Sequence, residues 1–159
     1  SVTGPMAEVV FRSTQYLSDA DAQAIAVYLR ALPQHAITPA EVVKPSAATL
    51  ERGAKVYEQH CAQCHGDNGE GKPGAFPALA GNRAVVLQDP TNLVRVVLQG
   101  GYLPATAGNP RPHGMPPFMQ VLGDDDVAAV STFVRQAWGN PAPPGGTSGG
   151  FRAPARRGS

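Results

Sequence analysis

The chain has 159 residues, 13 Lys or Arg against 12 Asp or Glu, a net charge of +1, and only 16% charged residues. That balance offers no basic face for a nucleic acid, and no apolar run approaches the roughly 20 residues of a membrane-spanning helix. Hydrophobic residues at 42% suffice for a core, while 18 glycines and 16 prolines predict regular structure interrupted by long loops.

Residues 1–16 read as loop, with Gly4-Pro5-Met6 near the start. The opening SVTGPMAEVV lacks the basic stretch and apolar run of a signal peptide. The sequence is therefore expected to begin as a mature protein or inside a longer one. A helix is predicted from Asp19 to Leu32. Ser18 is a good N-cap, and Asp19 and Asp21 put negative charge at the positive end of the helix dipole. Leu17, Ala24, Ile25, Tyr28, Leu29 and Leu32 form one apolar stripe, and Pro33 stops the helix. The stripe is expected to pack on the rest of the chain or on a second copy of it.

Residues 34–45 read as a linker. A second helix is predicted from Ala47 to His60 after the N-cap Ser46, with Leu50, Ala54, Val56 and Tyr57 as core candidates. It runs straight into Cys61-Ala62-Gln63-Cys64-His65. The Gly-rich stretch 66–81 reads as loop. A third helix fits Asn92 to Gln99 and is closed by Gly100-Gly101. Residues 102–123 read as loop again, with five prolines. The last helix is predicted from Asp124 to Trp138. Three aspartates lie in its first turn, and Val127, Val130, Phe133, Val134 and Trp138 line one face. Residues 141–159 are rich in Pro, Gly, Ser and Arg and are expected to be extended or disordered.

The two cysteines stand three apart, and a disulfide there could close only a tiny loop. C-x-x-C-H is instead an attachment signature for haem c. Thiols one helical turn apart can add to the two vinyl groups of one porphyrin, and the adjacent histidine is then held beside the ring. A thioredoxin-like CxxC requires a βαβ setting, which the helical pattern lacks. A structural zinc site requires four ligands, and His35, His60 and His113 supply no second pair at zinc spacing. One covalent haem is therefore expected.

An electron-transfer haem with six ligands needs a second axial group. Met/His ligation raises the reduction potential. The chain has Met6, Met115 and Met119. Met115 sits in Gly114-Met115-Pro116-Pro117-Phe118, a stiff loop able to hold a weak iron–sulfur bond, and is the expected ligand. Met119 is the fallback, and His113 would give bis-histidine ligation. A methionine that merely fills a gap in the core is the structural alternative.

CAQCHG, FPALAGN at 76–82, PHGMPPF and a closing VRQAWGN together resemble class I cytochrome c domains. The resemblance covers about 46–140. It is nearest to the last haem domain of the multi-haem cytochrome c subunits of bacterial membrane-bound alcohol and gluconate dehydrogenases. It implies an all-α, cytochrome c-like fold of three to four short helices around one haem, with long loops and an extra N-terminal helix. Residues 1–33 resemble the end of a preceding domain of the same kind, a loop with its ligand methionine and then a helix. Met6 would then be an orphan ligand.

The resemblance also implies site roles. Gly53 and Tyr57 should meet Phe133 and Trp138 where the first and last helices of the domain cross. Pro73 or Pro77 should supply the carbonyl that accepts the His65 ring N–H. Leu79, Val97, Leu98 and Phe118 should line the haem, and Asn82, Arg83 or Arg111 should meet a propionate. The haem edge should be exposed near the cysteines, beside the mixed charges of Asp67, Glu70 and Lys72. The implied function is electron transfer in the bacterial periplasm, without substrate chemistry of its own. The implied partners are a dehydrogenase subunit, other cytochromes, an oxidase or quinone. The rival is a haem sensor or peroxidase-like protein with an open distal site.

Overall fold

The computed structural model describes residues 4–33 and 44–140. The tail expected at 141–159 and most of the expected linker lie outside the described residues. The N-terminal segment holds α1 (Pro5–Arg12), a 3-10 turn (Thr14–Tyr16) and α2 (Asp19–Ala31). α1 corrects the loop expected over 1–16. Pro5 starts it with a preset φ and no N–H to satisfy, and the Glu8–Arg12 pair at 2.7 Å ties its exposed face. Met6 is thus on a helix and not in a ligand-bearing loop. Ser18 caps α2 as expected, its hydroxyl accepting from Asp21 N–H at 3.1 Å. Neither helix has a buried residue. Ile25, Tyr28, Leu29 and Leu32 of the stripe are exposed, so the expected packing onto the rest of the chain is absent among the described residues.

Residues 44–140 contain α3 (Ala47–His60), α4 (Ala62–His65), α5 (Thr91–Gln99) and α6 (Asp124–Gln136). Two short strands, β1 (Gly101–Tyr102) and β2 (Gly114–Met115), pair antiparallel with Gly101 opposite Met115. All of this small ladder except Gly101 lies inside the stretch 102–123, expected to be loop only.

α3 and α6 form the central crossing. They approach so closely that a Cβ on Gly53 would lie 2.3 Å from the Ala129 carbonyl oxygen and 2.7 Å from Phe133 Cβ. One turn later Tyr57 packs against Phe133 and Trp138, with ring centroids 5.6 and 4.9 Å apart. Its hydroxyl donates to Gly66 O at 2.6 Å, so the buried ring keeps its polar tip satisfied. The core adds Val56, Val85, Val94, Val97, Leu98, Leu122, Val127, Val130 and Val134. Arg135 is fully buried and donates from Nη1 to Val85 O at 2.8 Å, tying the loop before α5 to α6.

The last helix ends two residues earlier than expected. Ala137–Gly139 form a 3-10 turn in which Trp138 has φ 54°. This left-handed residue reverses the chain and folds the indole back over Tyr57, which a continued helix would not allow.

At the other end of the crossing, Arg52 Nε donates to Asp126 Oδ1 at 2.7 Å, and Nη1 reaches Asp125 Oδ2 at 3.5 Å. The Arg52 hydrogen bond holds the Asp126 carboxyl below the usual aspartate range, against a smaller opposing effect of burial. A carboxyl depressed in the folded state contributes stability above its unfolded value of about 3.9 and loses it as pH falls through the lower folded value. Arg52→Ala should therefore lower the melting temperature slightly at neutral pH. The difference from wild type should shrink as pH falls through the lowered Asp126 value, which thermal melts from neutral to acid pH would check.

Candidate functional site

Cys61 stands at the junction of α3 and α4, and Cys64 and His65 lie on α4. Cys61 closes α3, its N–H donating to Tyr57 O at 2.8 Å, and His65 N–H donates to Cys61 O at 2.9 Å. Gly66, with φ 79°, then turns the chain into the long loop. Both thiols are free and half-buried. Burial pushes the Cys61 thiol up to about 11, with the neighbouring Cys64 adding to the rise. A redox-active thiol is activated by the opposite shift, so Cys61 is poorly suited to disulfide exchange. Among the described residues no group of three or more His, Cys, Asp or Glu converges to hold a metal ion. The zinc reading therefore finds no partners there.

His65 is 8% exposed. Its Nδ1 lies 2.9 Å from the Pro77 carbonyl oxygen. A carbonyl only accepts, so Nδ1 carries the proton and Nε2 is left with a free lone pair. Of the two prolines expected to supply this carbonyl, Pro77 does so. The His65 carbonyl in turn accepts from Gly71 N–H at 2.7 Å, and the Gly69 carbonyl accepts from Leu79 and Ala80 N–H at 2.7 and 2.9 Å. The loop 66–81 is thus folded against the histidine at several points.

One cavity runs along this wall. It comprises about 1320 Å³ counting the open space at its mouth. Cys61, Cys64, His65, Pro77 and Leu79 line it, as do Val97, Met115 and Phe118, with Val85, Leu93, Val130 and Val134 completing an apolar surface. Among the candidates, Asn82 and His113 also reach it, whereas Leu98, Met119, Arg83 and Arg111 are not among its lining residues. Leu98 is in the core instead. Arg83 and Arg111 are exposed, and Met119 is 43% exposed. His113 is exposed and stands beside Phe76, ring centroids 4.9 Å apart.

Met115 is half-buried on β2 and packs against the core. Its main chain comes so close to Gly100 that a Cβ there would lie 2.4 Å from Met115 O, and Gly100 has φ 70°. Phe118 and Met119 N–H donate to Val97 O and Leu98 O at 3.0 and 3.1 Å, fastening the far end of the same segment to α5.

The donors fit a covalent haem. Two thiols and an imidazole of fixed tautomer share the wall of a large apolar cavity, and a thioether reaches the same space. Ser131 also lines it, and its hydroxyl is fully buried without a partner among the described residues. A buried hydroxyl left unpaired costs about 1–3 kcal/mol, and a polar group placed inside the cavity would relieve that cost. Sequence reasoning overlooked Ser131 because it lies within an otherwise apolar helix face. It also overlooked Asn140, which is buried at the end of the described chain.

The comparisons with known proteins agree with this geometry. The family model for cytochrome c matches residues 50–138. The cytochrome c subunit of alcohol dehydrogenase (quinone) from Gluconobacter oxydans (strain 621H) is 41% identical over 153 residues, covering 90% of this chain and 32% of that protein. The gluconate 2-dehydrogenase cytochrome c subunit from Pantoea cypripedii is 38% identical over 148 residues, covering 87% of this chain and 34% of that protein. Cytochrome c-552 from Thermus thermophilus is 38% identical over 91 residues, covering 55% of this chain and 69% of that protein. The chain thus spans about a third of the length of its dehydrogenase-subunit relatives. Motif, fold and relatives converge: the chain belongs to the cytochrome c family, and its work is electron transfer.

Proposed function

We propose that this chain is the electron-carrying haem domain of a dehydrogenase cytochrome subunit, holding one haem c through Cys61 and Cys64 with His65 and Met115 as axial ligands. The observation that carries the reading is that these four side chains line a single apolar cavity. Bound haem supplies a one-electron ferric/ferrous couple. The protein's own groups hold and orient it. The thiols anchor one edge, Pro77 fixes the His65 ring, β2 presents Met115, and Leu79 and Phe118 exclude water. Met115 is favoured over His113 because its side chain is packed against the core while His113 is exposed. A propionate is better served by Asn82, which lines the cavity, than by Arg83. An open distal site of the sensor or peroxidase-like kind has no feature in its favour.

Residues 46–140 form the haem domain in this reading, and 1–33 close a preceding domain of the same kind. Support comes from the spans of the relatives. Dehydrogenase subunits align over 87–90% of the chain, while cytochrome c-552 aligns over only 55%. The exposed stripe of α2 is then the face that meets the rest of such a subunit, or a second copy of this chain. The electron donor is a dehydrogenase subunit or a sister haem. The acceptor is another cytochrome, an oxidase or quinone, and the setting is the periplasm. No helix among the described residues is long and apolar enough to cross a membrane.

The test is covalent attachment. Expressed in a host that attaches haem c, the chain should carry about one iron per chain, retained after denaturation and acidic solvent extraction. The double variant Cys61→Ala/Cys64→Ala should release all of it. Extraction of the haem from the unaltered chain would overturn the proposal.

A further inference from the structure

The turn that closes the described chain is strained and leads into the buried Asn140, and the electron-transfer reading makes no use of it. Trp138, with φ 54°, is the sole non-glycine residue with positive φ among the described residues. Backbone of that kind persists only where its surroundings enforce it. Here the two residues at either side of Gly139 each take hold of the same loop.

The first grip is the indole. It lies against Gly69, so that a Cβ on that glycine would come within 2.5 Å of Trp138 Cε3. Gly69 is the residue whose carbonyl accepts from both Leu79 and Ala80 N–H. The second grip is Asn140, which is 5% exposed. Its Nδ2 donates to Leu79 O at 3.1 Å and to Val134 O at 2.7 Å, and its Oδ1 accepts from Gly81 N–H at 2.8 Å. An asparagine amide has two N–H donors and a carbonyl acceptor, and all three functions are engaged. The turn therefore binds the loop to the end of α6 from two sides. Pro77, the acceptor for His65 Nδ1, lies two residues before Leu79.

We propose that the Trp138–Asn140 turn is a clamp that seats the Pro77 carbonyl on His65 Nδ1 and thereby sets how strongly the imidazole donates to haem iron. The inference rests on the reading of His65 as the proximal ligand. Asn140 is a positioning residue, acting through the loop and touching neither haem nor iron. A hydrogen bond from the distant ring nitrogen raises the basicity of the ligating one. A more basic imidazole favours ferric iron, so loosening the clamp should raise the reduction potential.

The experiment uses the full, haem-loaded chain. Asn140→Leu keeps the shape of the side chain and removes all three hydrogen bonds without adding charge. Its reduction potential should rise above wild type, and the His65 Nδ1 proton, followed by NMR in the reduced state, should exchange faster with solvent. Asn140→Ser, which restores one donor and one acceptor, should fall between the two. Val127→Ala removes core packing away from the loop and the cavity lining. It should lower the melting temperature while leaving the potential and the proton unchanged. If Asn140→Leu does not hold haem, Trp138→Phe is read in the same way, with a smaller upward shift expected. The proposal is overturned if the Asn140 variants, or Trp138→Phe in their place, lose stability as Val127→Ala does with no change in potential or exchange. Failure of the wild-type chain to retain covalent haem would be a different result, overturning the ligand assignment on which the clamp depends.

Discussion

Met115→Ala should leave the haem attached and the domain folded, yet change both its spectrum and its potential. The covalent anchor is elsewhere in the cavity lining, at Cys61 and Cys64, and His65 keeps its bond to Pro77. The lost group is a soft thioether that favours ferrous iron. The reduction potential should therefore fall by on the order of 0.1 V or more, a fraction of the roughly 0.8 V range that axial ligands command. An added imidazole should bind the vacated position and restore a six-coordinate spectrum. The segment should hold its course, because Phe118 and Met119 N–H remain bonded to Val97 O and Leu98 O. If the spectrum and potential are unchanged, Met115 is not the ligand, and His113→Ala becomes the decisive variant.

Gly53→Ala should destabilise the domain strongly. The added carbon would sit 2.3 Å from the Ala129 carbonyl oxygen, a backbone atom that cannot rotate away. Relief requires α3 and α6 to separate, which also loosens Tyr57 from Phe133 and Trp138. Overpacking of a close-packed site costs about 1–3 kcal/mol, and the rigidity of both sides places this case at the upper end. The better helix propensity of alanine returns at most about 1 kcal/mol. Chemical denaturation of the haem-loaded protein would measure the net loss. Equal stability of the variant and wild type would mean that the crossing is more yielding than its geometry indicates.

Periodicity located α3, α5 and α6 because each carries an apolar face bounded by a clear start or stop. Ser46 caps α3, Gly100 ends α5, and three aspartates open α6. α1 escaped notice because Gly4-Pro5 looks like loop, although proline at the first helical position is a start signal. The two-residue strands were illegible since a pair this short carries no alternation. The thiols and His65 could be read from five consecutive residues. Met115 could be read only as one of several candidates, because the fold alone decides which methionine reaches the cavity. The arginines are no more legible. Arg83 has the right chemistry for a carboxylate and is exposed, outside the lining residues themselves, whereas Arg135 is the buried one and spends a donor on Val85 O. Asn140 was visible only as the end of VRQAWGN, and its role was not, since two of its three partners are some 60 positions earlier in the chain.

The acceptor for the His65 ring is a main-chain carbonyl, at Pro77. Every amino acid has that oxygen, so no point mutation at position 77 can delete it. Where a carboxylate side chain orients a ligating histidine, one base change can abolish the bond and its negative charge together. Here the bond is mutationally sheltered and uncharged, and pH cannot titrate it away. Adjusting it genetically means moving the loop, so the length and glycine content of 66–81, like the Trp138–Asn140 turn that grips it, are routes by which the electron affinity of this domain could be retuned without touching its ligands.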